Sequence, residues 1–242
     1  MRFKCIVKYD GTLFHGFQVQ KDLRTVQAEI ERVLLIINKK KTTIYASGRT
    51  DSGVHALAQV FHFDTDIKMS EANLKNAINS RLPKDIFVVS VERVSDDFHA
   101  RFSAKAKEYH YLVETGEYDP LLKNYRFFYK YNNLDVLRMK EAALIFVGKH
   151  DFQSFTKNHI LEDFEREIFS IEIEEKNSLL IFKFKADGFL HNMVRILAAM
   201  LIEVGRYKYS LEQIKYILGQ KNRKLAPKIL PSSGLYLYKV YY

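Results

Sequence analysis

A chain of 242 residues, 47% of them hydrophobic, has material for one large core or two smaller ones, and with 4 Pro and 10 Gly it is neither low-complexity nor a loop-rich scaffold. Lys and Arg outnumber Asp and Glu by 38 to 29, a formal charge of +9 that draws polyanions, nucleic acid first among them, although a basic balance also serves solubility alone. The single cysteine, Cys5, excludes an internal disulfide and a cysteine-based zinc site and fits a reducing cytosol. The opening run MRFKCIVKYD is too short in apolar residues for a signal peptide, and no segment approaches the ~18–20 apolar residues of a membrane span. The expectation is therefore a cytoplasmic chain with no membrane partner.

Phe3 to Tyr9 alternates as a strand. Thr25 stands at an N-cap position, and Val26, Ile30, Val33, Leu34 and Ile37 follow at helical spacing. Thr42 to Ala46 and Gln59 to Phe63 read as strands, the second with Val60 and His62 opposite Phe61 and Phe63. Ser70 caps a helix through Asn79, and Ile86 to Val91 is a strand. This β-α-β-β-α-β order is the split βαβ arrangement. Further on, Tyr109 to Glu114 is a strand, and Asn133 caps a helix through Val147 that stops at Gly148. Glu167 to Glu174 and Leu179 to Ala186 form a hairpin over Lys176-Asn177. Leu190 to Val204 is a strongly apolar helix ended by Gly205, Ser210 caps another through Leu218, and Leu235 to Val240 is a closing strand. Two α+β halves, 1–103 and 104–242, joined through their sheets with a cleft between, are the simplest arrangement.

Two features carry chemistry. The stretch Ser47-Gly48-Arg49-Thr50-Asp51-Ser52-Gly53-Val54-His55 is longer than the about two to five residues of a tight hairpin and is dense in functional groups. It reads either as a solvated loop or as a site whose glycines permit close approach of a ligand. Arg195 sits inside the apolar helix. It either snorkels to the surface along its aliphatic stem or meets an anion, and Asp51 is the candidate partner if that helix packs between the halves.

Gly48-Arg49-Thr50-Asp51-Ser52-Gly53-Val54-His55-Ala56 closely resembles the active-site motif of the TruA family of tRNA pseudouridine synthases. The likeness continues through Tyr9-Asp10-Gly11, Gly16-Phe17-Gln18 and Asp97 to Ala104. It extends to Gly148 to Phe155, Phe189 to Arg195 and Gly234 to Leu237, in order along nearly the whole chain. The resemblance implies the pseudouridine synthase fold: α+β, two βαββαβ-like halves sharing a long antiparallel sheet with a central cleft. It implies a homodimer, without cofactor or metal, that isomerises uridine to pseudouridine at positions 38, 39 and 40 of the tRNA anticodon stem-loop.

By the same resemblance Asp51 is the catalytic carboxylate, attacking base or sugar or abstracting a ribose proton, and Arg195 is the cation that pairs with it. Tyr109 packs on the target uracil, although on residue type alone it is a strand tyrosine filling a core. Arg49 helps open the RNA, and Phe98, His99, Ala100, Arg101 and Phe102 match a stretch near the RNA, with Lys105 and Lys107 as phosphate contacts. Without the resemblance, the charge and aromatic content also suit an RNA escort without catalysis. A metal-dependent nuclease lacks the clustered carboxylates and histidines it would need, and no P-loop or dinucleotide motif occurs. The chain departs from the family pattern at Phe17, where many relatives have Trp, at Ser47 and Ser52, and in the acidic stretch Lys157 to Glu167, which repels phosphate where relatives contact tRNA.

Overall fold

The computed structural model describes residues 1–130, 134–158 and 160–242. They form ten strands and five α-helices, a mixed α+β chain. Two compact units emerge: Met1–Lys105 together with Tyr236–Tyr242, and Ala106–Leu235.

The first unit runs β1 (Arg2–Tyr9), α1 (Val26–Asn38), β2 (Tyr45–Ala46), β3 (His55–Asp64), α2 (Glu71–Asn79) and β4 (Ile86–Val94), the order read from the sequence. Its strands lie β4-β1-β3, with β2 paired to β3 and β10 (Leu235–Tyr241) on the far side of β3. β1 is antiparallel to both neighbours, so Cys5 faces Phe61 on one side and Val91 on the other. Its odd positions Phe3, Cys5, Val7 and Tyr9 are buried, and burial holds the Cys5 thiol protonated and unreactive. Val26, Ile30, Val33 and Leu34 of α1 are fully buried, each contributing roughly 1.5–3 kcal/mol of hydrophobic stabilisation, while Ile37 at the end of the stripe is half-buried. Thr25 and Ser70 cap their helices as expected, accepting the amides of Ala28 (3.3 Å) and Asn73 (3.2 Å).

Three details differ from the sequence reading. The strand at Thr42 shrinks to Tyr45–Ala46, because the Ile44 amide donates to Glu31 Oε1 (3.0 Å) on α1 and the Thr42 hydroxyl accepts from Asn38 (2.6 Å). β3 is longer than expected, and Gln59 to Phe63 is buried on both faces, since His62 lies under Phe98 and His99 and His55 stacks on Tyr236. β10 runs parallel to β3, with Tyr236 opposite His55 and Leu237 opposite Ala56, where an antiparallel sheet was expected. The chain re-enters this unit only after residues 106–235, so no hairpin constrains its direction.

In the second unit β5 (Ala106–Glu114), β9 (Leu179–Ala186), β8 (Glu165–Lys176) and β7 (Gly148–Asp151) pair antiparallel in that spatial order. The two-residue β6 (Phe127–Phe128) runs parallel to β5. The β8–β9 turn is Asn177-Ser178, one residue later than expected, with Asn177 supplying the left-handed φ of 56°. α3 (Val136–Leu144) is capped by Asp135, which accepts the Arg138 amide at 2.9 Å; the expected cap Asn133 lies outside the described residues. This helix stops short of Val147, and Gly148 (φ 101°) instead opens β7. α4 (Met193–Gly205) buries every residue except Arg195 and Glu203, as its apolar sequence requires. α5 (Leu211–Gln220) begins at the expected Ser210, which forms a capping box with Gln213. No helix among the described residues is long and apolar enough to cross a membrane.

β4 ends the strand order of its unit, and its outward backbone is occupied by side chains rather than left open. Asn79 Nδ2 donates to the Val88 carbonyl (2.9 Å), its Oδ1 accepts the Val88 amide (2.8 Å), and Glu71 accepts the Arg93 amide (2.7 Å). Asn79→Ala is expected to lower unfolding stability by about 1–3 kcal/mol in a urea titration, because two backbone groups lose their partners together; a loss under about 0.5 kcal/mol would contradict this account of the edge.

Candidate active site

The loop between β2 and β3 is built on the N-terminal segment. The carbonyls of Gly16 and Phe17 accept the first amides of α1, from Val26 (3.3 Å) and Gln27 (2.9 Å). The Phe17 amide in turn donates to the Thr50 carbonyl (3.1 Å), and the Gly53 amide donates to the Phe14 carbonyl (3.2 Å), which also accepts the Ser52 hydroxyl (3.2 Å). The Tyr9 hydroxyl bonds Thr50 Oγ1 (2.8 Å), and burial raises the Tyr9 pKa, so the phenol stays neutral. Arg24 locks the segment from outside. Its guanidinium lies 4.1 Å over the Phe14 ring, makes two bonds to Asp85 (2.7 and 3.0 Å), and reaches Glu29 at 3.1 Å.

The other root of the loop is fixed by Gln59. Its Oε1 accepts the Ser47 hydroxyl (2.6 Å) and the Val60 amide (3.0 Å), while Nε2 donates to the Gly48 carbonyl (2.9 Å). Between these roots, Asp51 to Val54 forms a β-turn in which the Val54 amide donates to the Asp51 carbonyl (3.2 Å). Gly53 takes the positive φ of 75° required at the third position of a type II turn. Two glycines let the N-terminal segment lie against the loop: a Cβ at Gly11 would stand 2.0 Å from the Val54 carbonyl oxygen, and one at Gly16 (φ 87°) 2.6 Å from the Thr50 carbonyl oxygen. Asp51 is thus half-buried at the head of a turn with backbone bonds on both sides, and Arg49 is exposed two residues earlier.

His55 closes the loop. The Gly11 amide donates to its Nδ1 (3.1 Å), and Asp10 Oδ1 lies 3.2 Å from the same nitrogen. A nitrogen that accepts an amide carries no proton, and Asp10 Oδ1 already accepts the Thr12 amide (2.9 Å) and hydroxyl (2.6 Å). The Gly11 amide assigns Nδ1 as the accepting nitrogen of the ring. His55 serves to hold the segment 10–12 against the loop.

The stretch Phe98 to Phe102 is organised at the opposite end of β3. Arg2, bound to Asp64 through two 2.9 Å bonds, donates to the Phe98 carbonyl (2.9 Å). His62 Nδ1 accepts the Ala100 amide (3.1 Å), and His99 Nδ1 accepts the amides of Arg101 (3.1 Å) and Phe102 (3.3 Å). The Tyr242 hydroxyl donates to the Ala100 carbonyl (2.7 Å). The backbone is pinned, and Arg101 and Phe102 are left exposed, Phe102 at 76%. From Ala56, beside the Asp51 turn, to His62 is roughly 20 Å of strand at about 3.4 Å per residue. The sequence-predicted residues of this unit therefore fall into two groups: Arg49 with Asp51, and Phe98 through Phe102 at a distance.

Tyr109 and Arg195 belong to the second unit. Tyr109, 9% exposed on β5, meets Phe189 edge-on at 5.2 Å, and two residues along the same face Tyr111 is fully buried. Arg195 does not snorkel freely, because its Nε donates to the Leu230 carbonyl at 2.6 Å. In the acidic stretch, Glu165 pairs with Lys149 (3.0 Å) and Asp163 lies 3.7 Å from Arg166, so these two acids face cations within the chain. The supporting roles of Gln59 and Arg24 were missed from sequence. The contacts that matter here are not local: Gln59 reaches Ser47 and Gly48 11 to 12 residues back, and Arg24 reaches Asp85 61 residues on.

A family model described as tRNA pseudouridine synthase matches residues 5–103 and 142–242. The chain belongs to the tRNA pseudouridine synthase family. A tRNA pseudouridine synthase A of Anoxybacillus flavithermus is 45% identical over all of this chain and 98% of its own length. Those of Geobacillus sp. and Geobacillus kaustophilus are each 46% identical over all of this chain and 98% and 94% of theirs. A solved Cbf5-Nop10-Gar1 complex contains a chain that superposes on 83% of this one and 53% of its own length, at 13% identity and a TM-score of 0.32, too loose a likeness to carry an argument. Members of the family are isomerases.

Two predictions follow from the geometry. Gly16→Ala is expected to cost roughly 2 kcal/mol or more and to lower pseudouridine formation, since a side chain there strains φ and pushes on the Thr50 carbonyl that seats the Asp51 turn; a variant with unchanged melting and rate would refute that seating. His62 is held well below its ordinary pKa of 6.5, at about 4, by burial first and then by the charges of His99 and Arg2. Between pH 6.5 and 4 the unfolded chain binds the proton that folded His62 refuses. Its stabilisation is therefore complete above pH 6.5 and is lost as pH falls toward 4, by at most roughly 3 kcal/mol. His62→Asn, which keeps an acceptor for Ala100, should flatten that part of the stability–pH curve; an unchanged slope would exclude His62 as its source.

Proposed function

We propose that this chain converts uridine to pseudouridine at positions 38, 39 and 40 of the tRNA anticodon stem-loop, as a cytoplasmic homodimer. The observation that carries the reading is a full-length family match whose motif, Gly48 to Ala56, is built as a rigid turn presenting a carboxylate. A protein that only escorts RNA has no use for a carboxylate so held, because an acid facing phosphate weakens binding. The halves 1–103 and 104–242 contribute the acid loop and the arginine helix respectively.

The reaction conserves the formula of the nucleotide. The bond from ribose C1′ to N1 breaks, the uracil turns, C1′ bonds to C5, C5 gives up its proton and N1 gains one. Asp51 supplies the anionic group that acts on the nucleotide during this exchange. Arg195 keeps that carboxylate ionised and oriented. Tyr109 offers a ring face to the uracil, and Arg49 occupies the space that the flipped base vacates. Phe98, His99, Ala100, Arg101 and Phe102 contact RNA beyond the reacting nucleotide, in keeping with their place at the far end of β3.

The test uses unmodified tRNA transcript with the purified protein. Pseudouridine mapped at positions 38 to 40, and abolished in Asp51→Asn with tRNA affinity retained, is the expected result, since the substitution keeps shape and removes charge. Full activity in Asp51→Asn would sink the assignment of the carboxylate, and product confined to another tRNA arm would sink the assignment of the substrate site.

A further inference from the structure

Arg195 is held by a segment that is itself held by another residue. Between the 3₁₀ turns at Arg223–Leu225 and Ser232–Gly234 the chain is an irregular strap, and two consecutive carbonyls of it are gripped by side chains from different elements. Leu230 accepts Arg195 Nε from α4 (2.6 Å), and Pro231 accepts the Tyr111 hydroxyl from β5 (2.8 Å). The strap then lies flat on β5: a Cβ at Gly234 would stand 2.8 Å from the Leu112 carbonyl oxygen and 3.0 Å from the Tyr111 ring. Tyr111 is fully buried, so its ring fixes the hydroxyl in place. Burial raises its pKa while the Arg195 charge opposes the rise, so the phenol remains a donor across the working pH range.

We infer that Tyr111 is a positioning residue for the isomerisation, acting through Pro231 and Leu230 on Arg195. A guanidinium is a planar fork, and fixing Nε fixes the plane in which its other N–H groups point. If the strap slides, the Leu230 carbonyl moves and the plane of Arg195 turns with it. Tyr111 touches neither the nucleotide nor Arg195 through this relay; it sets the anchor point. This rests on the reading of Arg195 as the partner of the Asp51 carboxylate.

Tyr111→Phe keeps the packed ring and removes only the hydroxyl. Single-turnover rates on unmodified tRNA are measured for wild type, Tyr111→Phe, Arg195→Ala and the double variant, together with tRNA Kd. The expected result is a rate about fivefold lower in Tyr111→Phe, the equivalent of one neutral hydrogen bond, with Kd unchanged. The same substitution is expected to have no further effect in the Arg195→Ala background, because its route is already cut. An unchanged rate in Tyr111→Phe, with Arg195→Ala impaired, overturns the relay alone. A fivefold loss that recurs in the Arg195→Ala background also overturns it and makes Tyr111 a purely structural residue. A wild-type rate in Arg195→Ala overturns the underlying reading of Arg195, and the relay with it.

Discussion

The amide of Phe17 donating to the Thr50 carbonyl is the bond on which the acid loop depends. Phe17 is anchored from behind by the first amides of α1, so the loop inherits the rigidity of a helix that fully buries Val26, Ile30, Val33 and Leu34. A turn carrying a charged residue would ordinarily sample many conformations, with the cost of ordering falling on the chemical step. Here that cost is met on folding, by backbone bonds at Thr50, Gly53 and Val54 and by the Gln59 side chain at the root.

The same strand organises two surfaces of different character. Near Ala56, β3 supports a compact polar turn; near His62 it supports a cluster of Tyr45, His62, Phe98, His99 and Tyr242 in mutual ring contact. His62 there accepts the Ala100 amide, a role that requires its neutral ring. Burial and neighbouring positive charge keep His62 neutral, so the chemistry of the ring and the architecture of the loop agree. The exposed Arg101 and Phe102 are then side chains projected from a fixed backbone, suited to a cation and a flat face for nucleic acid.

In the second unit the constraint is a cation in an apolar helix. Every neighbour of Arg195 along α4, from Met193 to Ile202, is buried, so the guanidinium is confined to the direction its stem allows. The irregular strap supplies what a helix cannot, a carbonyl oxygen turned toward the side chain. Irregular backbone at this position is held by the Tyr111 hydroxyl at Pro231 and by the close approach of the bare Gly234 to β5.

The order of elements was legible in the sequence because period and caps are local. Thr25, Ser70 and Ser210 each sit three residues before the amide they accept, and the apolar run of α4 announces burial by itself. The acid loop was legible as a motif, from Gly48 to Ala56, and in the residues of Gly16-Phe17. What the sequence could not contain is the contact between those two stretches, the 61-residue span from Arg24 to Asp85, the parallel return of β10, or the separation of Phe98–Phe102 from Asp51 along β3. Those depend on which backbone groups meet after the chain has closed. Side-chain spacing fixes a face of a helix or strand, but only packing in three dimensions decides which carbonyl a distant amide finds.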